Sequence, residues 1–335
     1  TVYPKKKTPR VDNFLHTGGI HRLFDQIISL DNLFAAWSEF RRGKMQKRDV
    51  QAFAWKLEDG IFQLHEDLKN GKYEHGPYES FFVCDPKRRH IHKPSVRDRL
   101  LHHAVVRVIE PLFDPTFIYD VWSSRKNKGT HGAIERFQRM AWKLSRNNTR
   151  TVWVLKLDIQ KFFDNVDQKI LLAFLSRTIA DDPAMALLKN ILDSFPKGIP
   201  LGNLTSQLFA NIYLNELDRF VTQSLQPPFY IRYCDDFILS QTNREALAAL
   251  LPCIRSFLSN RLGLVLHPKK ITLEPYHRGV DFLGFVCFPH YRILRTKTKR
   301  RMLRRINRNN FASYIGLLIH CRSWGIRKGL EVQDI

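Results

Sequence analysis

Two adjacent aspartates interrupt an apolar and aromatic segment in the second half of the chain. The segment reads Phe229-Tyr-Ile-Arg-Tyr-Cys-Asp-Asp-Phe-Ile-Leu-Ser240, which predicts two strands joined by a two-residue turn with Asp235 and Asp236 at its tip. Neighbouring carboxylates in a low-dielectric setting repel each other unless a cation lies between them. Oxygen ligands favour magnesium or manganese, so the pair indicates a divalent-metal site. An exposed Asp-Asp turn is the alternative for this segment taken alone.

A third aspartate ends another apolar strand. Thr151-Val-Trp-Val-Leu-Lys-Leu-Asp158 reads as a strand with a carboxylate at its end, a position that packing explains poorly. Adjacent strands of one sheet would bring Asp158 beside the Asp235-Asp236 turn. Two magnesium ions held between these acids would activate a primer 3′-hydroxyl and stabilise a leaving pyrophosphate.

The charge balance indicates a polyanionic partner. The 335 residues include 54 Lys and Arg against 32 Asp and Glu, a formal charge of +22, which destabilises a compact chain unless a polyanion offsets it. Nucleic acid is therefore the expected partner. The sequence has no apolar run of about 18 residues and no signal-peptide core at its start, so we expect a cytoplasmic protein without a membrane partner. Its five scattered cysteines support neither a disulfide framework nor a zinc site.

One basic region precedes the predicted strand of Asp158. Residues 78–94 read as a strand, a turn around Asp85-Pro86 and a return strand. A helix follows, with Ser95 as its N-cap and with Arg97 and Arg99 in its first turn. The helix dipole disfavours cations there, so an anionic partner is the better explanation.

Two further basic segments suit a nucleic-acid backbone. The loop at 122–131 carries Arg125 and Lys128, with a solvated loop as the alternative. Residues 295–308 carry eight basic residues in fourteen. A predicted helix there places on one face Lys297, Arg301, Arg304, Arg305 and Arg308. A merely solvated helix is disfavoured at this density, because like charges at i and i+4 repel.

Apolar periodicity predicts additional helices. Residues 31–40 and 50–64 each repeat apolar positions at helical spacing and read as two core helices. A loop that contains Pro200 and Gly202 leads into a third helix, capped by Asn203 or Thr205. A glycine in that loop allows close approach of the backbone to a base pair or nucleotide.

Taken in chain order, these segments resemble the reverse transcriptase family over about residues 78–308. Leu157-Asp158-Ile-Gln-Lys-Phe-Phe163-Asp resembles the first catalytic motif, and Tyr233-Cys-Asp-Asp236 resembles the YxDD box. Gly263-Leu-Val-Leu-His-Pro-Lys-Lys270-Ile resembles the lysine motif that follows, and Gly279-Val-Asp-Phe-Leu-Gly-Phe285 resembles the primer grip.

The resemblance implies an α+β right-hand polymerase with fingers, a palm of antiparallel sheet plus helices, and a short helical thumb. Residues 1–77 would form an N-terminal helical extension and the start of the fingers, and 78–150 the fingers. The palm would span 151–290, with a fingers-palm helix within 200–225 and the primer grip at 279–285. Residues 291–335 would form the basic helical thumb.

Carried over residue by residue, the resemblance implies an RNA-directed DNA polymerase with two Mg2+ ions, for which Mn2+ is a possible substitute. The metal positions would be Asp158, Ile159, Asp235 and Asp236, and Lys270 would be the acid for pyrophosphate release, with Lys269 as the alternative. Positions for the incoming dNTP would be Lys93, Arg97, Phe163, Leu201, Gly202 and Gln207. Among these, Phe163 matches the aromatic gate against a ribose 2′-hydroxyl. Contacts to the template RNA and the RNA/cDNA duplex would be Arg125, Lys128, Tyr233, Gly284, Lys297, Arg301, Arg304, Arg305 and Arg308.

One loop departs from the common family pattern. Pro200-Leu201-Gly202 replaces Pro-Gln-Gly and, with Ser206-Gln207, resembles the LGxxxSQ signature of diversity-generating retroelement reverse transcriptases. That subfamily implies error-prone copying of a specific structured RNA with an accessory protein, in a bacterial cell or encoded by a phage. The alternatives are a defence-associated reverse transcriptase, a non-catalytic maturase-like RNA-binding protein and an RNA polymerase, the last disfavoured by Phe163.

Overall fold

The structure is a computed structural model and describes residues 22–84 and 88–331. Its helices are α1 (Leu23–Ile28), α2 (Leu30–Phe40), α3 (Arg48–Trp55), α4 (Leu57–Lys69), α5 (Val96–Phe113), α6 (Thr130–Leu144), α7 (Phe162–Asn165), α8 (Gln168–Ser176), α9 (Asp182–Asp193), α10 (Leu204–Arg219), α11 (Arg244–Leu262), α12 (Thr296–Arg305), α13 (Phe311–Ile319) and α14 (Trp324–Glu331). Its strands are β1 (Glu79–Val83), β2 (Arg89–Lys93), β3 (Trp153–Asp158), β4 (Phe229–Tyr233), β5 (Asp236–Gln241), β6 (Thr272–Pro275), β7 (Val280–Phe282), β8 (Phe285–Cys287) and β9 (Arg292–Leu294).

A four-stranded antiparallel sheet, in the order β4-β5-β3-β6, forms the centre of the fold. The strands β3, β4 and β5 are largely apolar because both faces of the sheet are covered there. Alternate side chains enter two separate hydrophobic clusters, Leu157 and Leu239 on one face and Val154 and Ile238 on the other. The predicted α+β class is confirmed, as are the strand that ends at Asp158 and the β4-β5 hairpin.

The turn of the β4-β5 hairpin differs from the prediction by one residue. Cys234 and Asp235 form the turn, whereas Asp236 is the first residue of β5 and pairs with Tyr233. Asp236 joins the strand because it also pairs with Asp158 across the sheet. Cys234 adopts a φ of 55°, in the left-handed region.

The N-terminal helices pack around α5, and a small exposed hairpin precedes that helix. The predicted helix at 50–64 is divided at Lys56, whose φ of −119° and ψ of 41° separate α3 from α4. The predicted hairpin at 78–94 is present as β1 and β2, with Glu79 opposite Lys93. Its predicted turn at 85–87 lies outside the described residues. The helix predicted after Gly202 is α10, with Asn203 at its N-cap position.

A second antiparallel sheet, in the order β7-β8-β9, leads into α12, α13 and α14. The predicted basic helix ends at Arg305, so placing Arg308 on its face was wrong. Asn310 explains the end, since its side-chain amide donates to the Arg305 carbonyl and its side-chain oxygen accepts from the Asn307 amide. Among the helices described, none combines the length and the apolar character that a membrane crossing requires.

Candidate active site

The central sheet brings the three predicted metal-binding aspartates to one end. Asp158 at the end of β3 pairs directly with Asp236 at the start of β5. Asp235 lies in the turn, directly before Asp236. The Asp235 carbonyl accepts a hydrogen bond of 3.2 Å from the Ile159 amide. The four predicted metal positions therefore lie together, although metal binding by them stays a prediction.

Two lysines provide counter-charges to this acidic cluster. Lys270 Nζ donates to Asp158 Oδ1 at 2.5 Å. Lys156 Nζ lies 3.3 Å from Asp236 Oδ2 and donates to the Asp281 carbonyl at 2.6 Å. We did not predict Lys156 from the sequence. Its signal was available, because side chains two residues apart on a strand share a face and Lys156 precedes Asp158 by two.

Burial perturbs the two turn-side carboxyl groups. It raises the pKa of Asp235, and the charge of Asp158 adds to that effect. Burial also raises the pKa of Asp236 to about 6, opposed by Lys156 and reinforced by Asp158. The Oδ1 atom of Asp236 is buried and has no hydrogen-bond partner. A cation in addition to the two lysines would stabilise the ionised form of these desolvated carboxylates.

A divalent ion fits this donor set. Carboxylate oxygens are the ligands that Mg2+ and Mn2+ prefer, and the Asp236 Oδ1 atom is an available donor. Within the described ranges, no three acidic, histidine or cysteine side chains are already arranged around one point as metal ligands. Lys270 and Lys156 each hold one of the carboxylates instead, so an ion at Asp158 would displace the Lys270 ammonium group.

Phe163, the predicted ribose gate, is fixed to the loop that precedes α10. Phe163 lies half-buried in α7, and its carbonyl accepts from the Ile199 amide at 2.8 Å. Gly198 has a φ of 72°, and a Cβ there would lie only 2.2 Å from the Phe163 oxygen. Gly198 is therefore required for this close approach, which joins α7 to the Leu201 loop.

The same loop contacts the exposed hairpin. The His92 amide of β2 donates to the Leu201 carbonyl at 3.1 Å, and Gly202, with a φ of 122°, lies against Ile91. Gln207 is exposed on the first turns of α10. The predicted dNTP positions Lys93, Gly202 and Gln207 line one cavity of about 380 Å³.

Lys93 and Arg97, the predicted triphosphate ligands, are ion-paired with acids of the N-terminal helices. Lys93 Nζ lies 2.9 Å from Asp49 Oδ2 and 3.3 Å from Glu79 Oε2. Arg97 donates to Asp67 Oδ2 at 2.6 Å. Both cations are thus partly exposed and partnered by carboxylates of α3, α4 and β1.

The loop at 122–131 uses its cations within the chain. Arg125 is largely buried, and its guanidinium donates to Asp114 Oδ1 at 2.6 Å and to the Ile118 carbonyl at 2.9 Å. Lys128 Nζ lies 3.5 Å from the centre of the Tyr119 ring and 4.1 Å from that of Trp122. These internal contacts give no support to Arg125 as a nucleic-acid ligand, a role that stays a prediction, as does that of Lys128.

The other predicted nucleic-acid contacts are dispersed. Tyr233 ends β4 and its hydroxyl accepts from Thr130 Oγ1 at 3.2 Å. Gly284 lies in the β7-β8 turn with a φ of 92°. On α12, Lys297, Arg304 and Arg305 are exposed, Arg301 is half-buried, and Arg308 follows the helix.

A carboxylate cluster at one end of an antiparallel sheet, joined through a glycine loop to a cationic hairpin, is the arrangement of a right-hand polymerase. A sequence profile of the family described as "Reverse transcriptase (RNA-dependent DNA polymerase)" matches residues 83–287. The chain therefore belongs to the reverse transcriptase family, and the predicted enzyme class, RNA-directed DNA polymerase, is confirmed with it.

The chain is also similar to several individual proteins. The chain is 24% identical over 319 residues to protein YkfC of Escherichia coli. The aligned segment covers 80% of this chain and 81% of YkfC. It is 28% identical over 303 residues to the group II intron-encoded protein LtrA of Lactococcus lactis, which covers 68% of this chain but 49% of LtrA. It therefore spans about half the length of that intron-encoded relative. A solved structure of apo telomerase from Candida tropicalis aligns with a TM-score of 0.48 and 14% identity, covering 66% of this chain and 55% of the telomerase chain.

Proposed function

We propose that this protein copies a structured RNA into DNA by adding deoxynucleotides to a primer, with divalent metal ions held by Asp158, Asp235 and Asp236. The observation that carries the proposal is the register of β3 and β5, which sets Asp158 opposite Asp236 beside the Asp235 turn. The raised pKa values of Asp235 and Asp236 support it, because buried carboxylates that lack sufficient counter-charge favour a cation.

Mg2+, with Mn2+ as a substitute, would be held by these three carboxylates beside Ile159. When bound, the ions would lower the pKa of the primer 3′-hydroxyl and offset the charge of the leaving pyrophosphate. Lys270 would be released from Asp158 in that state and would donate a proton to the pyrophosphate. Lys156 would keep Asp236 oriented through its contacts with that carboxylate and the Asp281 carbonyl.

The nucleotide would lie between Phe163 of α7 and the exposed hairpin formed by β1 and β2. Lys93 and Arg97 would exchange their acids for triphosphate oxygens, which an exposed pair permits at small free-energy cost. The half-buried Phe163 ring would exclude a ribose 2′-hydroxyl, its position supported by the bond between its carbonyl and Ile199.

The proposed division into subdomains follows the elements. The extension would contain α1 to α4, the fingers β1 to α6, and the palm β3 to β9. β9 pairs with β8, which favours placing the boundary between palm and thumb after Leu294 rather than at residue 290. The thumb would then begin with the basic helix α12.

A retroelement role is the more specific part of the proposal. The Leu201-Gly202 loop with Ser206-Gln207 supports error-prone copying together with an accessory protein in a bacterial cell, and a defence-associated enzyme is its alternative. The names of relatives, a group II intron-encoded protein and a nuclear intron maturase, favour a structured RNA as the bound template. They also support a second candidate, an intron-type RNA-binding protein without catalysis, which the intact acidic cluster disfavours.

Primer extension by the purified protein tests the proposal. With Mg2+, an RNA template and a DNA primer, we expect incorporation of dNTPs and not of NTPs. Phe163→Val should increase ribonucleotide incorporation, whereas Phe174→Val, at a half-buried phenylalanine on α8, should not. Absence of Mg2+-dependent incorporation, with RNA binding retained, would instead establish the non-catalytic candidate.

A further inference from the structure

A buried ion pair lies directly behind the turn that carries Asp235. Arg232 of β4 and Asp218 of α10 have fully buried side chains, and their bonds measure 2.7 Å from Nε to Oδ1 and 2.5 Å from Nη2 to Oδ2. The Tyr230 hydroxyl also donates to Asp218 Oδ1, at 2.7 Å. Removing two charges from water costs about as much as their attraction returns. Stability alone therefore does not explain the pair.

The remaining nitrogen of Arg232 reaches the turn. Nη1 donates to the Cys234 carbonyl at 3.1 Å and to Asn211 Oδ1 at 3.2 Å. Asp218 fixes the other side of the guanidinium, so this nitrogen is aimed at Cys234 by a rigid fork. The charge pair thus orients one peptide group of the turn.

The second peptide group of Cys234 is held from a different segment. Its amide donates to Ser123 Oγ at 2.9 Å, and the Ser123 carbonyl accepts from Asn211 Nδ2 at 2.9 Å. Ser123 itself is fixed beside β4, because the Trp122 amide donates to the Arg232 carbonyl and the Arg232 amide donates to the Asp120 carbonyl, each at 3.0 Å. Asn211 therefore connects the serine to the arginine.

This network acts on a strained residue. Cys234 has a φ of 55° without being glycine, a conformation that persists only where the surroundings enforce it. The conformation of Cys234 sets the direction in which the chain presents Asp235. On the opposite side, the Ile159 amide fixes the Asp235 carbonyl. Both sides of the turn are thus held by hydrogen bonds.

We propose that Arg232, Asn211 and Ser123 are positioning residues that set the Cys234 conformation and, through it, the affinity of Asp235 for a divalent ion. None of the three touches the predicted metal ligands with its side chain in the contacts described above. The inference rests on the proposed function, since it assumes that the carboxylates bind metal.

Ser123→Ala in the full chain is the decisive variant. Mn2+ binding is followed by electron paramagnetic resonance, and thermal unfolding is measured on the same samples. Loss of the hydroxyl should weaken Mn2+ binding about tenfold or more, as removal of groups that orient metal ligands does. It should also lower kcat with little change in the KM for dNTP.

Ser145→Ala provides a matched control. Ser145 is also a buried serine, and its hydroxyl likewise accepts a backbone amide, that of Asn148 at 2.8 Å, in a turn outside the network. The two variants should lower the unfolding temperature by similar amounts. Only Ser123→Ala should weaken Mn2+ binding.

Arg232→Lys and Arg232→Met test the charge pair in the same assay. Lysine keeps the charge but cannot contact Asp218 and Cys234 with a fork, so both variants should bind Mn2+ more weakly. If they do not fold, Ser123→Ala decides. Mn2+ binding by Ser123→Ala equal to that of the wild type would overturn the inference alone. A wild-type protein that binds no Mn2+ would overturn both the inference and the proposed metal site.

Discussion

Two hairpins of this protein carry functional charges, and they are built in opposite ways. The β4-β5 hairpin lies inside a four-stranded sheet, with Asp235 and Asp236 half-buried at its end. The β1-β2 hairpin is a separate two-stranded sheet, exposed along β1, and carries Lys93 at its base. The first is held by the fully buried Arg232–Asp218 ion pair, whereas the second has ion pairs that water also reaches.

The difference shows which charges can exchange partners. Beside the exposed hairpin, partial burial opposes ionisation of Asp49 of α3, but hydrogen bonds from Lys93 and Arg99 lower the pKa of its carboxyl group to about 2. Such solvent-accessible pairs are worth at most about 1 kcal/mol, so a phosphate competes readily. The Arg232–Asp218 pair is fully buried and has no solvent to replace a lost partner. The β4-β5 hairpin is therefore fixed by its buried ion pair, whereas the ion pairs of the exposed hairpin can exchange a carboxylate for another anion.

Asp235→Asn should produce the largest effect. Loss of a metal ligand removes several kcal/mol of transition-state stabilisation, so primer extension should fall by on the order of 10³-fold or more. The unfolding temperature should stay the same or rise, because the ionised carboxylate is disfavoured by burial and by Asp158. The exposed acid Asp193, changed to Asn, is the control and should retain activity. Full activity of Asp235→Asn would contradict the proposed site.

The sequence predicts strand β3 and the β4-β5 hairpin well, because the signals for these elements are local. The apolar run before Asp158 and the apolar segments around the Asp235-Asp236 pair predict strands, and the resemblance joins them in one site. The register is not local: Asp236 belongs to β5 because it pairs with Asp158, a contact that no short segment contains. Ser123 is equally hidden, since its bond to Cys234 spans 111 positions.

Local signals also fail where side chains compete with the backbone. The break at Lys56 follows no glycine or proline, and the end of α12 at Arg305 is set by the Asn310 amide. The exposed hairpin was predicted correctly, but the ion pairs that Lys93 and Arg97 form with Asp49 and Asp67 connect distant helices. Periodicity carries no information on such pairs.

A pair of aspartate substitutions tests the comparison in terms of stability. Asp218→Asn leaves Arg232 buried without its counter-charge, which should lower the free energy of unfolding by about 3–5 kcal/mol. Asp49→Asn removes a partner of the exposed Lys93 and should cost less than about 1 kcal/mol. Urea unfolding of both variants at one pH measures the difference. Equal losses would show that the two hairpins are held alike.

Lowering the pH should destabilise the helical region around α5, the helix that follows the exposed hairpin. Burial, with the charges of His75 and His103, lowers the pKa of His102 on α5 to about 3, below the ordinary value of 6.5. Below pH 6.5 the unfolded chain therefore binds a proton that the folded chain does not bind. The free energy of unfolding therefore decreases as the pH is lowered. The slope from this group is at most about 1.4 kcal/mol per pH unit.

Urea unfolding between pH 7 and 5 measures that slope. His102→Gln should reduce it, because the substituted side chain does not titrate. His65→Gln, at a half-buried histidine of α4, should leave the slope as in the wild type. A slope that His102→Gln does not change would place the acid sensitivity elsewhere.

The smallest expected effect lies in the loop that connects α7 to the exposed hairpin. The Leu201 carbonyl accepts from the His92 amide of the exposed hairpin, so Leu201→Gln keeps that main-chain bond and changes a half-buried side chain. The new amide would restore the glutamine of the common family loop and supply a hydrogen bond to the nascent base pair, worth about 1 kcal/mol. Misincorporation opposite template adenine should then fall about fivefold, as sequencing of the cDNA would show. Leu250→Gln, at a half-buried leucine of α11, should leave the error spectrum unchanged. If Leu201→Gln also leaves it unchanged, the loop does not determine fidelity, and the exposed hairpin or Phe163 becomes the part of the site to test.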